Sequence, residues 1–139
     1  MPTTILQKVV FKNTTQKALY DLYMSTKLHS LIAGSPVKIS AKAGAKFSAH
    51  GGYIRGKNIQ LIKNKQIIQT WRAEGWDKED MDSIFMINLE QKGKDTILYM
   101  VHAFLTEKAV ASIKKGWTDH YWNPWKQHLA GKLITRPAM

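Results

Sequence analysis

Cysteine is absent from this 139-residue chain, which excludes disulfide scaffolding, thiol catalysis and thiolate metal sites. Acids are almost absent from the first half, where residues 1–73 hold twelve Lys or Arg against the single Asp21. The acids that follow concentrate in one run, Asp77-Lys78-Glu79-Asp80-Met81-Asp82. They do not pair across a cleft as glycosidase chemistry requires. The run also lacks the central glycine and the distal glutamate of a calcium loop, so it reads as a solvated turn. His120 and His128 stand eight apart without a His-Glu-x-x-His arrangement, and Ser48 and Ser83 lie outside any nucleophile elbow. The expectation is no metal, no cofactor and no covalent hydrolase. No apolar run approaches the length of a membrane span, and Met1-Pro2-Thr3-Thr4-Ile5 carries no basic-then-apolar leader pattern. A soluble, cytoplasmic protein is expected.

What is present is positive charge, net +11, and 44% hydrophobic residues, enough for one core-forming domain over 1–139. Basic residues such as Lys38, Lys42, Lys46, Lys57, Lys63 and Lys65 are spaced singly along predicted strands. Lysines so placed solvate an outer face and discourage edge pairing. No recognition motif accompanies the charge, so nucleic acid is not expected as a partner.

Residues 4–12 alternate as a strand, with Ile5, Gln7, Val9 and Phe11 on the core side. Asn13 followed by Gln16 gives a helix start, and Ala18, Leu19, Leu22 and Tyr23 recur at helical spacing to about Met24. Ser25 or Thr26 caps a second short helix that ends near Gly34-Ser35-Pro36. The period then switches to two. Turn signals divide the next stretch into six strands near 37–41, 45–50, 53–62, 66–73, 83–91 and 95–103. A final helix is expected from Ala109–Ser112 to about Leu133. The order is α+β with a mostly antiparallel sheet.

That last helix carries four of the fourteen aromatic residues within nine positions. Trp117, Tyr121 and Trp125 recur every four residues and form one broad apolar stripe that must lie across the sheet. Pro124 sits inside this helix, where its missing N–H leaves the His120 carbonyl unserved and predicts a bend.

An ordered series of segments resembles one known family. Lys46-Phe47-Ser48, Gly52-Tyr53-Ile54-Arg55-Gly56, Ile67-Ile68-Gln69-Thr70-Trp71-Arg72, Trp76 and Ser83 come first. Asp95-Thr96-Ile97-Leu98, Gly116-Trp117 and Tyr121-Trp122-Asn123-Pro124 follow. The series is similar to the C-terminal domain of the activator of the 90-kDa heat-shock protein ATPase, within the START-like or SRPBCC superfamily. The resemblance covers nearly the whole chain. It implies a helix-grip fold of the Bet v type: a seven-stranded curved antiparallel sheet, two short helices, and a long C-terminal helix over the concave face. It also implies functions ranging from small-molecule binding to polyketide cyclisation and chaperone activation. After the last strand the family's Gly-Val-Pro-like turn is replaced by Ala103-Phe104-Leu105-Thr106.

With Trp71 on the concave side, Ile67, Gln69, Ala73, Phe85, Ile87, Leu89, Leu98, Met100 and His102 share that side. They face Trp117, His120 and Tyr121. The expected site is an apolar cavity lined by Phe47, Gln69, Trp71, Phe85, Ile87, Leu98, Met100, His102, Trp117, His120 and Tyr121. Gln69, His102, His120 and Tyr121 supply its polar groups. The expected function is non-enzymatic binding of a hydrophobic or aromatic small molecule. The alternatives are a chaperone-interacting module and a cyclase-like enzyme using His102, His120 or Tyr121 as acid and base. On the opposite, convex side, Ile68, Ile84, Met86, Ile97, Tyr99 and Val101 form an apolar patch suited to a homodimer or a protein partner.

Overall fold

Side-chain alternation sorts the strands into a buried and an open face. The computed structural model describes residues 2–131. In chain order it forms β1 (Pro2–Phe11), α1 (Gln16–Met24), α2 (Thr26–Ala33), β2 (Lys46–Ala49), β3 (Ile54–Ile62) and β4 (Gln66–Ala73). Then come β5 (Ser83–Lys92), β6 (Asp95–Thr106), α3 (Glu107–Trp117), a π-helical turn (Thr118–Trp122) and α4 (Asn123–Leu129). The strands make one antiparallel sheet in the order β1-β6-β5-β4-β3-β2. On β4, Ile67, Gln69, Trp71 and Ala73 are buried, while Ile68, Thr70 and Arg72 between them are half-buried. The same division holds on β5 for Phe85, Ile87 and Leu89 against Ile84 and Met86.

Six strands are found among the described residues where the resemblance implies seven. The stretch at 37–41 contributes only an isolated bridge between Lys38 and Ser48. Its neighbouring backbone groups are taken by α2 instead: Val37 N–H donates to Ser30 Oγ at 3.1 Å, and Ile39 N–H donates to Thr26 Oγ1 at 3.0 Å. The Thr26 hydroxyl returns a 2.8 Å bond to the Ile39 carbonyl. Side-chain capture of this kind competes with a ladder.

The first helix is capped by Thr15, whose hydroxyl accepts from Ala18 N–H at 3.1 Å, and not by Asn13. Asn13 adopts φ 48° and turns the chain out of β1. Ser25 caps α2 by accepting from Leu28 N–H, and Gly34 ends it with φ 69°, a left-handed value that glycine adopts without cost.

The C-terminal helical segment starts at Glu107, directly after β6 and ahead of the expected Ala109–Ser112, and it ends at Leu129, short of the expected Leu133, where Ala130 and Gly131 turn the chain. Pro124 is accommodated by a π-helical turn. The Asn123 N–H reaches back five residues to the Thr118 carbonyl, so one additional residue is taken up just before the proline. Trp117, Tyr121, Trp122 and Trp125 are all buried, and Leu129 packs against the same core.

Candidate functional site

The centre of the concave face is filled by side chains. Trp117 stacks on Phe85 with ring centroids 4.3 Å apart and planes 6° from parallel. Its indole N–H donates to His102 Nδ1 at 3.0 Å. His102 Nδ1 is therefore the acceptor, and the ring hydrogen sits on Nε2, 2.8 Å from Ser83 Oγ. The Ser83 hydroxyl passes its own hydrogen to the Trp71 carbonyl at 2.7 Å. The residue is 0% exposed, and burial takes its imidazole down to about 3, so it is neutral. Both nitrogens are occupied, which leaves His102 none for a substrate.

A second buried network joins the helices to the sheet. The Tyr23 hydroxyl donates to Gln69 Oε1 at 2.7 Å, and Gln69 Nε2 donates to Asn58 Oδ1 at 2.8 Å. Asn58 Nδ2 in turn serves the Ser40 and Lys42 carbonyls of the loop before β2. Nearby, His29 Nδ1 lies 2.9 Å from the Tyr23 carbonyl and His29 Nε2 lies 2.8 Å from the Tyr121 hydroxyl. The same hydroxyl is 3.2 Å from His50 Nε2. Burial lowers His29 to about 4 and raises Tyr121. Burial also lowers His50, with the neighbouring His120 adding to the effect.

With the sheet centre packed, free space is displaced toward the β3–β4 side. A cavity of about 330 Å³ opens between Ile54, Trp71 and Ala73 on the sheet and Ala109, Ile113, Gly116 and Trp117 on α3. Trp76 and Tyr53 flank it, and His50, Ser112, His120 and Tyr121 bring the remaining polar groups. Among the described residues, no Asp, Glu, Lys or Arg lines it. Beyond Trp76 lies a more open depression of about 540 Å³, bordered by Met81, Phe104 and the start of α3. Phe104 stands there 47% exposed at φ 65°. Arg72 organises this end: its guanidinium bonds the Asp80 and Asp77 carbonyls and the Asp82 carboxylate, and lies 5.8 Å from the Trp76 ring centre. The acidic loop is thus wrapped around one cation.

Of the residues expected to form the site, Trp71, Trp117, His120 and Tyr121 meet at the cavity, with His120 exposed at its mouth. Phe47, Gln69, Phe85, Ile87, Leu98, Met100 and His102 are buried elsewhere in the core and do not line it. His50, Tyr53, Ile54, Trp76 and the stripe Ala109, Ser112, Ile113 were not foreseen as lining. Helical spacing from Ala109 through Ile113 and Gly116 to His120 is the signal that would have found the α3 wall.

A curved antiparallel sheet closed by a C-terminal helix, with two short helices at one end and a cavity beneath, defines a helix-grip protein of the Bet v1-like type. Residues 7–130 match the model of the family described as Activator of Hsp90 ATPase homolog 1-like protein, and the chain belongs to that family. Activator of 90 kDa heat shock protein ATPase homolog 2 of Mus musculus is 32% identical over 79 residues, 57% of this chain. The chain spans between 24% and 33% of the length of the curated relatives it matches. Among solved structures, an HSP90 activator from Plasmodium falciparum superposes with a TM-score of 0.79 at 21% identity, covering 94% of this chain and 96% of that one. The Aha1 dimer from Colwellia psychrerythraea gives 0.80 at 16% identity, covering 94% and 98%. At these identities the structural likeness establishes the fold. No helix among the described residues is long and apolar enough to cross a membrane.

Proposed function

We propose that the protein binds a hydrophobic or aromatic small molecule, without turnover, in the cavity between the β3–β4 side of the sheet and α3. The observation that carries this reading is the wall itself: Trp71, Trp76, Trp117, Tyr53 and Tyr121 surround about 330 Å³ with no formally charged side chain among the described lining residues. That volume falls in the range of small-molecule sites, which combine apolar walls with a few placed polar groups. A ligand burying about 200 Å² of apolar surface would gain roughly 5 kcal/mol before its ordering costs. His102, the innermost candidate for acid–base work, has no free nitrogen. Thermal-shift and native mass spectrometry with a panel of planar aromatics test the reading. Binding to the wild type should be lost when Ile113→Trp fills the cavity. Failure of every member of the panel to bind would overturn it.

Family membership supports a second reading, a module that contacts a heat-shock ATPase. Its observation is a row on the convex face, where Leu6, Val101, Met86 and Ile68 stand opposite one another across β1, β6, β5 and β4. Leu6 is 72% exposed. Tyr99 and Ile84 flank the row half-buried, whereas Ile97 is buried at 7% exposure. The same row would serve a second copy of the chain, in line with the dimeric relative. Stimulation of a purified chaperone ATPase, abolished by Met86→Lys, would support the partner reading. Sedimentation of wild type against the Tyr99→Lys, Ile84→Lys double variant reads self-association.

A further inference from the structure

We propose that His50 Nδ1 is the hydrogen-bond acceptor for the ligand of this cavity, and that the ligand is a neutral planar aromatic carrying a hydroxyl, a phenol. The inference rests on the small-molecule reading above and names its ligand class. It comes from following hydrogens outward from one group that cannot donate. The Tyr23 carbonyl only accepts, so the His29 Nδ1 facing it at 2.9 Å carries the hydrogen. In the neutral ring His29 Nε2 is then a lone pair, and the Tyr121 hydroxyl 2.8 Å away donates to it. Having spent its only hydrogen, the Tyr121 oxygen can do no more than accept. His50 Nε2, 3.2 Å from that oxygen, therefore carries a hydrogen, and in the neutral imidazole His50 Nδ1 is left as a lone pair.

The one side-chain hydrogen bond His50 makes among the described residues uses Nε2, and His50 is one of the residues that line the cavity. The backbone holds it there under constraint. His50 has φ 52°, a left-handed value uncommon for histidine, kept in place by the Tyr53 N–H to His50 carbonyl bond and the Gly51 N–H to Pro36 carbonyl bond. Strain of this kind persists only where surrounding contacts over-determine it, and it concentrates at binding sites. The other walls select the remainder of the ligand. Flat indoles at Trp71, Trp76 and Trp117 suit a planar ring, and among the described residues no Lys or Arg lines the cavity to offer a phenolate a counter-charge.

The array also argues that the hydroxyl hydrogen stays on the ligand. Handing it inward through His50 and Tyr121 would place a cation on His29, which is 1% exposed and has no carboxylate among its hydrogen-bond partners. His50 itself is a weak base, held below the usual imidazole range by burial and by the neighbouring His120, so the ligand binds without proton abstraction.

The test compares 2-naphthol with 2-methoxynaphthalene, which share the ring and differ in the hydrogen. Titration of the full chain, read by tryptophan fluorescence and calorimetry, should show naphthol tighter by roughly 3- to 10-fold. In His50→Phe the two should bind equally, with the ether's affinity retained. Equal binding to the wild type would overturn the His50 assignment and leave the cavity reading standing. A naphthol preference that survives in His50→Phe would overturn it in the same way. If neither compound binds the wild type, the cavity reading itself falls. The wild-type comparison needs no variant to fold.

Discussion

Trp117 and His102 are joined by a 3.0 Å bond from indole N–H to imidazole Nδ1, which ties α3 to β6 at the floor of the sheet. The tie is both polar and apolar, since the same indole stacks on Phe85. The two contributions can be separated. Trp117→Ala removes ring and donor together and should cost ~3–5 kcal/mol in urea unfolding. Trp117→Phe keeps most of the ring but orphans a buried acceptor, and should cost about 1–3 kcal/mol. A loss below about 1 kcal/mol for the alanine variant would show that the helix does not depend on this anchor.

Acid should destabilise the fold at a pH where carboxylates are still ionised. His29 and His102 fall from 6.5 in the unfolded chain to about 4 and about 3 when folded. The folded state therefore binds fewer protons than the unfolded one below 6.5. Stability from these rings is complete above that value and is lost as pH falls toward 4 and 3. Two such groups give a slope of about 2.7 kcal/mol per pH unit near pH 5. Urea midpoints that stay level from pH 7 to about 4.5 would contradict the burial of both imidazoles.

Gly56 has no room for a side chain. A Cβ there would lie 1.9 Å from the Thr70 carbonyl oxygen and 2.6 Å from the Phe47 ring. The first of these atoms belongs to the backbone of β4 and cannot swing away. Gly56→Ala should therefore destabilise by about 3 kcal/mol or more and broaden amide signals along β2 to β4. A wild-type melting temperature for this variant would mean the strands are spaced differently.

Asn64 offers the opposite case. It turns the β3–β4 hairpin at φ 63°, and its buried Oδ1 has no hydrogen-bond partner among the described residues. Glycine accepts that backbone angle and removes the orphaned oxygen, whereas alanine keeps the strain of a Cβ. Asn64→Gly should be more stable than Asn64→Ala by about 1–2 kcal/mol. Equal stability of the two would place this turn outside the left-handed region.

Much of this architecture is legible in the chain because a sheet face needs only a two-residue rhythm. Ile67, Gln69, Trp71 and Ala73 are buried together, as alternation requires. The aromatic stripe on the last helix announces its own burial. Less local features are not legible. The segment at 37–41 has a strand's rhythm, but Thr26 and Ser30, from the helix just before it, take its backbone groups. Pro124 signals an irregularity without saying that one extra residue, placed before it, absorbs the defect. The cavity is a residue of packing. Once Trp117 lies flat on Phe85, Leu98 and Met100 are sealed, and the cavity beneath α3 lies near His50 and Trp76. A single rotamer settles this, and no periodicity reports it.

All five tryptophans of the chain form one unbroken line of neighbouring rings. Trp76 and Trp71 are 5.7 Å apart, Trp71 and Trp117 6.2 Å, Trp117 and Trp122 5.6 Å, and Trp122 and Trp125 5.3 Å. Excitation absorbed anywhere along such a line migrates before it is emitted, so the protein shines as one chromophore and not as five. On the small-molecule reading, a ligand seated against Trp76, at one end, would dim light gathered as far away as Trp125. Occupancy of the proposed site would then be read optically, with no label to attach.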